Sequence, residues 1–284
     1  MNQSYDNIQY IIVDDGSTHF ERSAVEQHIA KHNLGNVKAE VIVNQQNQGI
    51  IRSSNIALSR AKGKYILNLA GDDCFADEHV VADVVAEFER TNAMVLTGYR
   101  RICDYAMNET DVLQPSSQYV KWIRHLDSQE LFERMAAYNF ILGCCTAYAK
   151  KCFDLYGLHD EQYRNLDDYT LHMKLLRHGV QIQFFDRVFV KYRSGGVSSL
   201  SGISAGYIAE ADRIFEQEIK PYSVKPLKAD KRYSQWKKRM EINRGMAQQI
   251  EKYQGNKLLL LILKIGCYVK QPGVLISAIK EKLL

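Results

Sequence analysis

The chain has six cysteines but no Cys-x-x-Cys pair and no regular cysteine spacing, which argues against a disulfide framework and for reduced thiols, as in a cytosol. No basic-then-apolar leader opens the sequence. The longest apolar run near its end, Leu258 to Leu263, is cut by Lys264 and falls far short of the ~20 residues that cross a bilayer. Aromatic residues are not interleaved with the basic residues of the tail, which weighs against a stacking platform for nucleic acid. The adjacent Cys144 and Cys145 lie in an apolar stretch and read as small core residues.

Other properties are ordinary. With 46% hydrophobic and 25% charged residues over 284 positions, the chain can bury a full core as one large α/β domain or as a domain with an appendage. The net charge of +4 is small but unevenly placed: Phe215 to Leu284 carries 15 Lys and Arg against 6 Asp and Glu, leaving 22 against 27 for residues 1–214. A basic tail on an acidic body is suited to an anionic surface.

The most informative pattern is repeated. Tyr10, Ile11, Ile12 and Val13 form an apolar run that stops at Asp14-Asp15-Gly16-Ser17-Thr18, and Lys64 to Leu69 again reads as a strand running into Gly71-Asp72-Asp73. In an open α/β sheet ligands bind beyond the carboxyl ends of strands, so both acidic pairs point to one crevice. Such carboxylates suit a hard divalent cation shared with the phosphates of a ligand. Taken singly, either run is also an ordinary turn.

The spacing predicts a helix after Thr18 through Phe20, Ala24, Val25, His28 and Ile29, capped by Ser17 or Thr18. It predicts a strand over Val37 to Val43, a helix from Ile50 to Gly63, a helix over Val80 to Arg90 and a strand over Ala93 to Gly98. This alternation implies a mostly parallel, doubly wound sheet. Residues 101–130 have no clear period and read as a long connection. A helix over Leu131 to Tyr138, a buried segment from Ile141 to Ala149 and a turn at Gly157 to Glu161 follow. Asp167-Asp168 opens a helix closed at His178-Gly179, and Gln181 to Val190 returns as a strand. From Tyr207 the pattern is helical and basic, broken at Pro221, Pro226 and Pro272. The expected division is a domain over 1–205 and a helical extension over 206–284. His28 and His32 stand one turn apart, but without an acidic third ligand they read as a solvated face.

These motifs in this order resemble the inverting nucleotide-sugar glycosyltransferases of family 2, with the GT-A fold. The likeness runs from Asn7 to about residue 200 and rests on Asn7 to Thr18, Asn47-Gln48-Gly49-Ile50 through Asn55 to Ile66, Gly71-Asp72-Asp73, Gly157-Leu158-His159-Asp160-Glu161 and Asp167 to Leu175. The resemblance implies that Asp14 and Asp15 bind the nucleotide, with Asp15 at the nucleobase. It places Asp72 near the ribose and the metal, puts Asp73 on the Mn²⁺ or Mg²⁺ ion, and makes Asp168 the catalytic base. Arg52 and Arg193 are candidate diphosphate contacts.

Two departures from the family pattern stand out. The apolar strand and helix that family members carry before the segment starting at Asn2 are not seen here, so either the true start lies upstream or the sheet is N-terminally truncated with unpaired backbone groups. Ser194-Gly195-Gly196 offers no histidine where many relatives have a further metal ligand.

The reading is a cytoplasmic enzyme, peripheral on the inner face of the membrane. It would move a sugar from a nucleoside-diphosphate donor, UDP-linked by preference, to a glycan or lipid-linked hydroxyl with inversion, in bacterial surface polysaccharide synthesis. The lysines beside the leucine-rich tail from Lys257 suit an interfacial helix, or equally one packed on the body. One alternative is a truncated, non-catalytic remnant that binds a nucleotide or partner weakly. A phosphoryl-transfer enzyme would need an Asp-x-Asp at the first strand, which Asp14-Asp15-Gly16 does not supply.

Overall fold

The computed structural model describes residues 2–32, 37–195 and 204–252, which fall into two compact units: the described residues of 2–132 with 140–193, and 133–139 with 194–195 and 204–252. In the first unit β1 (Ile8–Asp14) is followed by α1 (Arg22–His32), β2 (Val37–Val43), α2 (Ile50–Arg60), β3 (Tyr65–Leu67), β4 (Cys74–Phe75), α3 (Val80–Thr91) and β5 (Val95–Cys103). Then come β6 (Glu109–Gln114), α4 (Ser117–His125), α5 (Ser128–Met135), β7 (Thr146–Ala149), α6 (Lys151–Tyr156), α7 (Asp167–Arg177) and β8 (Ile182–Arg193).

The strands are less uniform in direction than the crossovers imply. β1 and β2 pair in parallel as a two-stranded sheet, and a six-stranded sheet has the order β3-β7-β5-β8-β4 with β6 also on β5. Within it β5 and β8 are parallel, whereas β3·β7, β5·β7, β5·β6 and β4·β8 are antiparallel. β7 takes the opposite direction because the chain reaches it through a long excursion rather than a single crossover helix. Among the described residues, β1 and β3 each pair along one edge only.

That excursion is not the structureless connection its sequence suggests. β6 is a polar edge strand and α4 has only Val120 and Ile123 buried, so neither leaves a long period. Tyr119 stacks on Phe140 with ring centroids 4.7 Å apart, which holds α4 in place. α1 also departs from expectation: it begins at Arg22, so neither Ser17 nor Thr18 caps it, and none of its side chains is buried.

The core explains why the site is fixed. α3 presents Val80, Val84 and Phe88, one turn apart, to Leu96 of β5, Ala147 and Ala149 of β7 and Phe189 and Val190 of β8. Burial of each large side chain contributes about 1.5–3 kcal/mol, and Phe88→Ala would cost about 3–5 kcal/mol. β8, twelve residues long, carries its end from this core to β4 and the Asp72-Asp73 turn.

In the second unit, Ser204 caps α8 (Ala205–Ile214) by accepting the Tyr207 N–H. Pro226 is the first residue of α9 (Pro226–Lys252), where its missing N–H costs nothing. Phe215 stacks on Tyr233, whose hydroxyl donates to Asp212 Oδ1 at 2.9 Å. Among the described residues no helix is long and apolar enough to cross a membrane. The tail from Lys257, with its apolar run and Pro272, lies outside the described residues.

Candidate functional site

Asp14 closes β1, and its Oδ2 accepts the N–H groups of Gly16 and Ser17 at 3.1 and 3.0 Å. Gly16 adopts φ +75°, and a Cβ there would lie 2.6 Å from the Gln46 carbonyl carbon, so only glycine lets the two loops touch. Asp15 is saturated by the neighbouring loop. Its Oδ1 accepts from Asn44 Nδ2 (2.9 Å) and the Gln48 N–H (2.8 Å), and its Oδ2 from the Gly49 N–H (2.8 Å). Burial raises its pKa, but donors from Gln48, Asn44, Ser53 and Gly49 outweigh that effect and hold the carboxyl below its ordinary value.

The second acidic pair is held differently. Asp72 is exposed and Asp73 half-buried. Asp73 Oδ1 accepts the Arg193 N–H at 2.9 Å, so the end of β8 grips the turn after β3. Its Oδ2 is fully buried with no hydrogen-bond partner. Burial, with the nearby Asp72 charge, raises the Asp73 pKa against the opposing pull of Arg193 and Arg100. The Arg193 guanidinium donates to the carbonyls of Asp72 (3.0 Å) and Tyr105 (3.2 Å).

A buried carboxylate oxygen left without a donor is costly, and a hard cation is the partner its chemistry suits. Among the described residues no three His, Cys, Asp or Glu side chains cluster as a complete cage. Mg²⁺ and Mn²⁺ do not require one, since one or two carboxylates with ligand phosphates and water suffice. Asp73, with Asp72 beside it, fits that pattern.

Asp168 is the second residue of α7. Its Oδ2 accepts the Gly143 N–H at 3.0 Å, and its Oδ1 accepts the Tyr169 N–H at 2.7 Å. A Cβ on Gly143 would sit 2.7 Å from Asp168 Cβ and 2.9 Å from Oδ2. A helix N-terminus by itself favours the anionic form of a carboxyl. Instead, burial of the carboxylate, joined by the Asp167 charge, pushes its pKa up to about 7, because desolvation outweighs both backbone donors. Beneath it lie His172, whose Nε2 is 2.8 Å from the Tyr148 hydroxyl, and His159. Burial lowers these histidines to about 3 and about 4 respectively, so both are neutral at pH 7.

Arg52 lies on the exposed side of α2 and pairs with Glu161 at 3.3 Å. Asn55 exchanges two hydrogen bonds with the His159 backbone (2.9 and 3.0 Å) and donates to Glu161, clipping α2 to the turn before α7. Arg164, four residues ahead of Asp168, donates to Asn47 at 2.8 Å and packs on Gly49. A short series of contacts thus runs from Asp15 through the Asn44–Gly49 loop to the start of α7. The His28 and His32 rings lie 4.2 Å apart on the exposed α1, where the His32 ring nitrogen meets the His28 carbonyl. Sequence reasoning gave no role to Gly143, Asn55 or Arg100. Asn55, a polar residue on the buried face of α2, was the one with a visible signal.

The profile of "Glycosyl transferase family 2" matches residues 1–157. An uncharacterized glycosyltransferase of Haemophilus influenzae is 31% identical over 119 residues, 42% of this chain and 45% of the relative. Among solved structures, S. aureus TarS residues 1–349 in complex with UDP-GlcNAc gives a TM-score of 0.61 at 17% identity, covering 94% of this chain and 72% of that one. The mannosyltransferase PcManGT of Pyrobaculum calidifontis, in complex with GDP-Man and Mn²⁺, gives 0.58 at 15%, covering 95% and 74%. These likenesses show the GT-A-like fold. The chain spans about half the length of several curated relatives it matches.

Proposed function

Because the chain belongs to glycosyl transferase family 2, we propose that it transfers a sugar from a nucleoside diphosphate to an acceptor hydroxyl, with inversion at the anomeric carbon. The observation that carries this reading is a pair of carboxylates: Asp73 in the turn after β3, held by the end of β8 and with a buried Oδ2 that has no donor, and the buried Asp168 at the start of α7.

Asp14, Asp15 and the Asn44–Gly49 loop form the nucleotide side, and Arg52 reaches the diphosphate on release from Glu161. Asp73, with Asp72, holds a divalent cation, Mn²⁺ or Mg²⁺. When bound, that cation supplies charge neutralisation for a departing diphosphate. Asp168 takes the proton from the attacking hydroxyl on the opposite face of the sugar. With a pKa of about 7 it is ionised in useful amount at neutral pH, yet basic enough to accept that proton. Gly143 fixes the carboxylate's orientation, and the neutral histidines beneath leave its charge uncompensated. UDP is the favoured donor nucleotide and a glycan or lipid-linked alcohol the favoured acceptor, in bacterial surface polysaccharide synthesis. The basic tail supports a cytoplasmic enzyme resting on an anionic membrane.

Calorimetry with UDP and Mn²⁺ tests the reading. Metal-dependent binding that Asp73→Ala removes by about tenfold or more supports it, and UDP binding indifferent to Mn²⁺ and to Asp73 refutes the assigned cation site.

A further inference from the structure

The second unit carries an apolar point on its surface. Tyr222, Val224 and Leu227, in the stretch that leads into the first turn of α9, are 49%, 65% and 84% exposed. Large apolar side chains are ordinary on a surface when scattered, but a cluster marks a place that meets something. The main chain beneath them is pinned. Ser223 Oγ donates to Glu133 Oε2 at 2.9 Å, the Val224 N–H donates to Glu133 Oε1 at 2.8 Å, and Arg232 Nη1 donates to the Glu133 carbonyl at 3.1 Å. The Val224 and Leu227 side chains are thus held outward on an ordered turn, which lowers the ordering cost of binding.

The free charges around this point have one sign. Lys225, Lys228 and Lys231 are exposed, and among the described residues none of them pairs with a carboxylate, whereas Glu216 and Asp230 are both committed to Lys220 at 3.3 Å. The helix extends the pattern. Ala229, Tyr233, Trp236 and Met240 are buried at helical spacing, while Leu227, Lys231, Ser234 and Lys238, on the opposite side of α9, are exposed.

This mixture of groups selects the partner. The centre of a protein interface is poor in lysine, because an ammonium buried there without a partner loses its water. At a lipid headgroup layer the apolar side chains enter the acyl boundary while the lysines keep their charges at anionic phosphates. Tyrosine, with an apolar ring and a polar hydroxyl, suits the same layer. We propose that Tyr222, Val224 and Leu227, flanked by Lys225, Lys228 and Lys231, insert into an anionic lipid membrane. This rests on the membrane reading above and names a point of contact separate from the residues beyond Lys252.

Flotation of the full chain with phosphatidylcholine vesicles, with and without about 30% phosphatidylglycerol, tests it. The wild type should rise with the anionic vesicles and be released as salt is raised. Val224→Ser combined with Leu227→Ser should weaken binding about tenfold or more, and Lys225→Gln combined with Lys228→Gln and Lys231→Gln should do so by a similar factor. Both variants should melt at the wild-type temperature, since every altered side chain is exposed. Leu227→Trp adds a second readout: lipids brominated along the acyl chain should quench its fluorescence beyond any quenching of the wild type's own tryptophans. An unquenched Leu227→Trp that still floats overturns the insertion. A wild type that ignores anionic vesicles overturns both the membrane reading and this inference. Equal flotation of the wild type and the serine variant overturns this inference alone. In that case, release of a Lys257→Gln, Lys264→Gln, Lys270→Gln variant would assign the membrane to the tail, and a lower mass of the serine variant in light scattering would assign the patch to a second copy of the chain.

Discussion

The loop after β1 and the start of α7 both present adjacent aspartates, and the two regions treat the charge in opposite ways. At Asp15 three donors at 2.8–2.9 Å meet the carboxylate, which stays below its ordinary pKa and anchors the Asn44–Gly49 loop. At Asp168 two donors meet a carboxylate enclosed by protein, and burial wins. The same residue pair is therefore a fully donated clamp in one place and, in the function proposed, the reactive group in the other. Solvation relative to donor count makes the difference.

The comparison breaks most visibly at the base itself. Asp168→Asn should lower the rate of sugar transfer by about 10²–10⁴-fold, the usual contribution of a general base, with UDP affinity unchanged. Rapid-quench transfer alongside calorimetry separates the two, and a variant that transfers normally would remove Asp168 from the chemistry. A smaller loss is expected from Gly143→Ala, whose new Cβ would fall within 3 Å of the Asp168 side chain. Transfer should drop about tenfold and stability by about 1–3 kcal/mol, measured by turnover and urea melts. An unaltered rate would mean that Asp168 does not need its present position.

Asp15→Asn sharpens the other side of the contrast. Its amide nitrogen cannot accept the N–H groups that the carboxylate now satisfies, so folding stability should fall by about 1–3 kcal/mol. The maximal transfer rate at saturating donor should change by no more than about twofold. A loss in that maximal rate as large as that of Asp168→Asn would show that the two pairs are not different after all.

Much of this was legible before any coordinates. The apolar run Tyr10–Val13, the stop at His178-Gly179 and the acidic strand ends all appear where their local chemistry puts them. The excursion holding β6, α4 and β7 was not, because its residues satisfy long-range partners such as Phe140 and Gly98 rather than a local period. Gly143 and Arg100 were invisible for the same reason: their roles depend on what lies beside them in space. The raised Asp168 pKa is not legible in the sequence, which shows the helix N-terminus but not the burial that overrides it.

The most direct test is the pH dependence of donor consumption, followed as UDP release from UDP-sugars with Mn²⁺ at saturation. An aspartate whose proton leaves at about 7 predicts a rate that rises tenfold per pH unit below that value and levels off above it, with the rise missing in Asp168→Asn. A rate that is flat from pH 5 to pH 9, as an aspartate of ordinary pKa near 3.9 would give, would contradict a buried base at the start of α7.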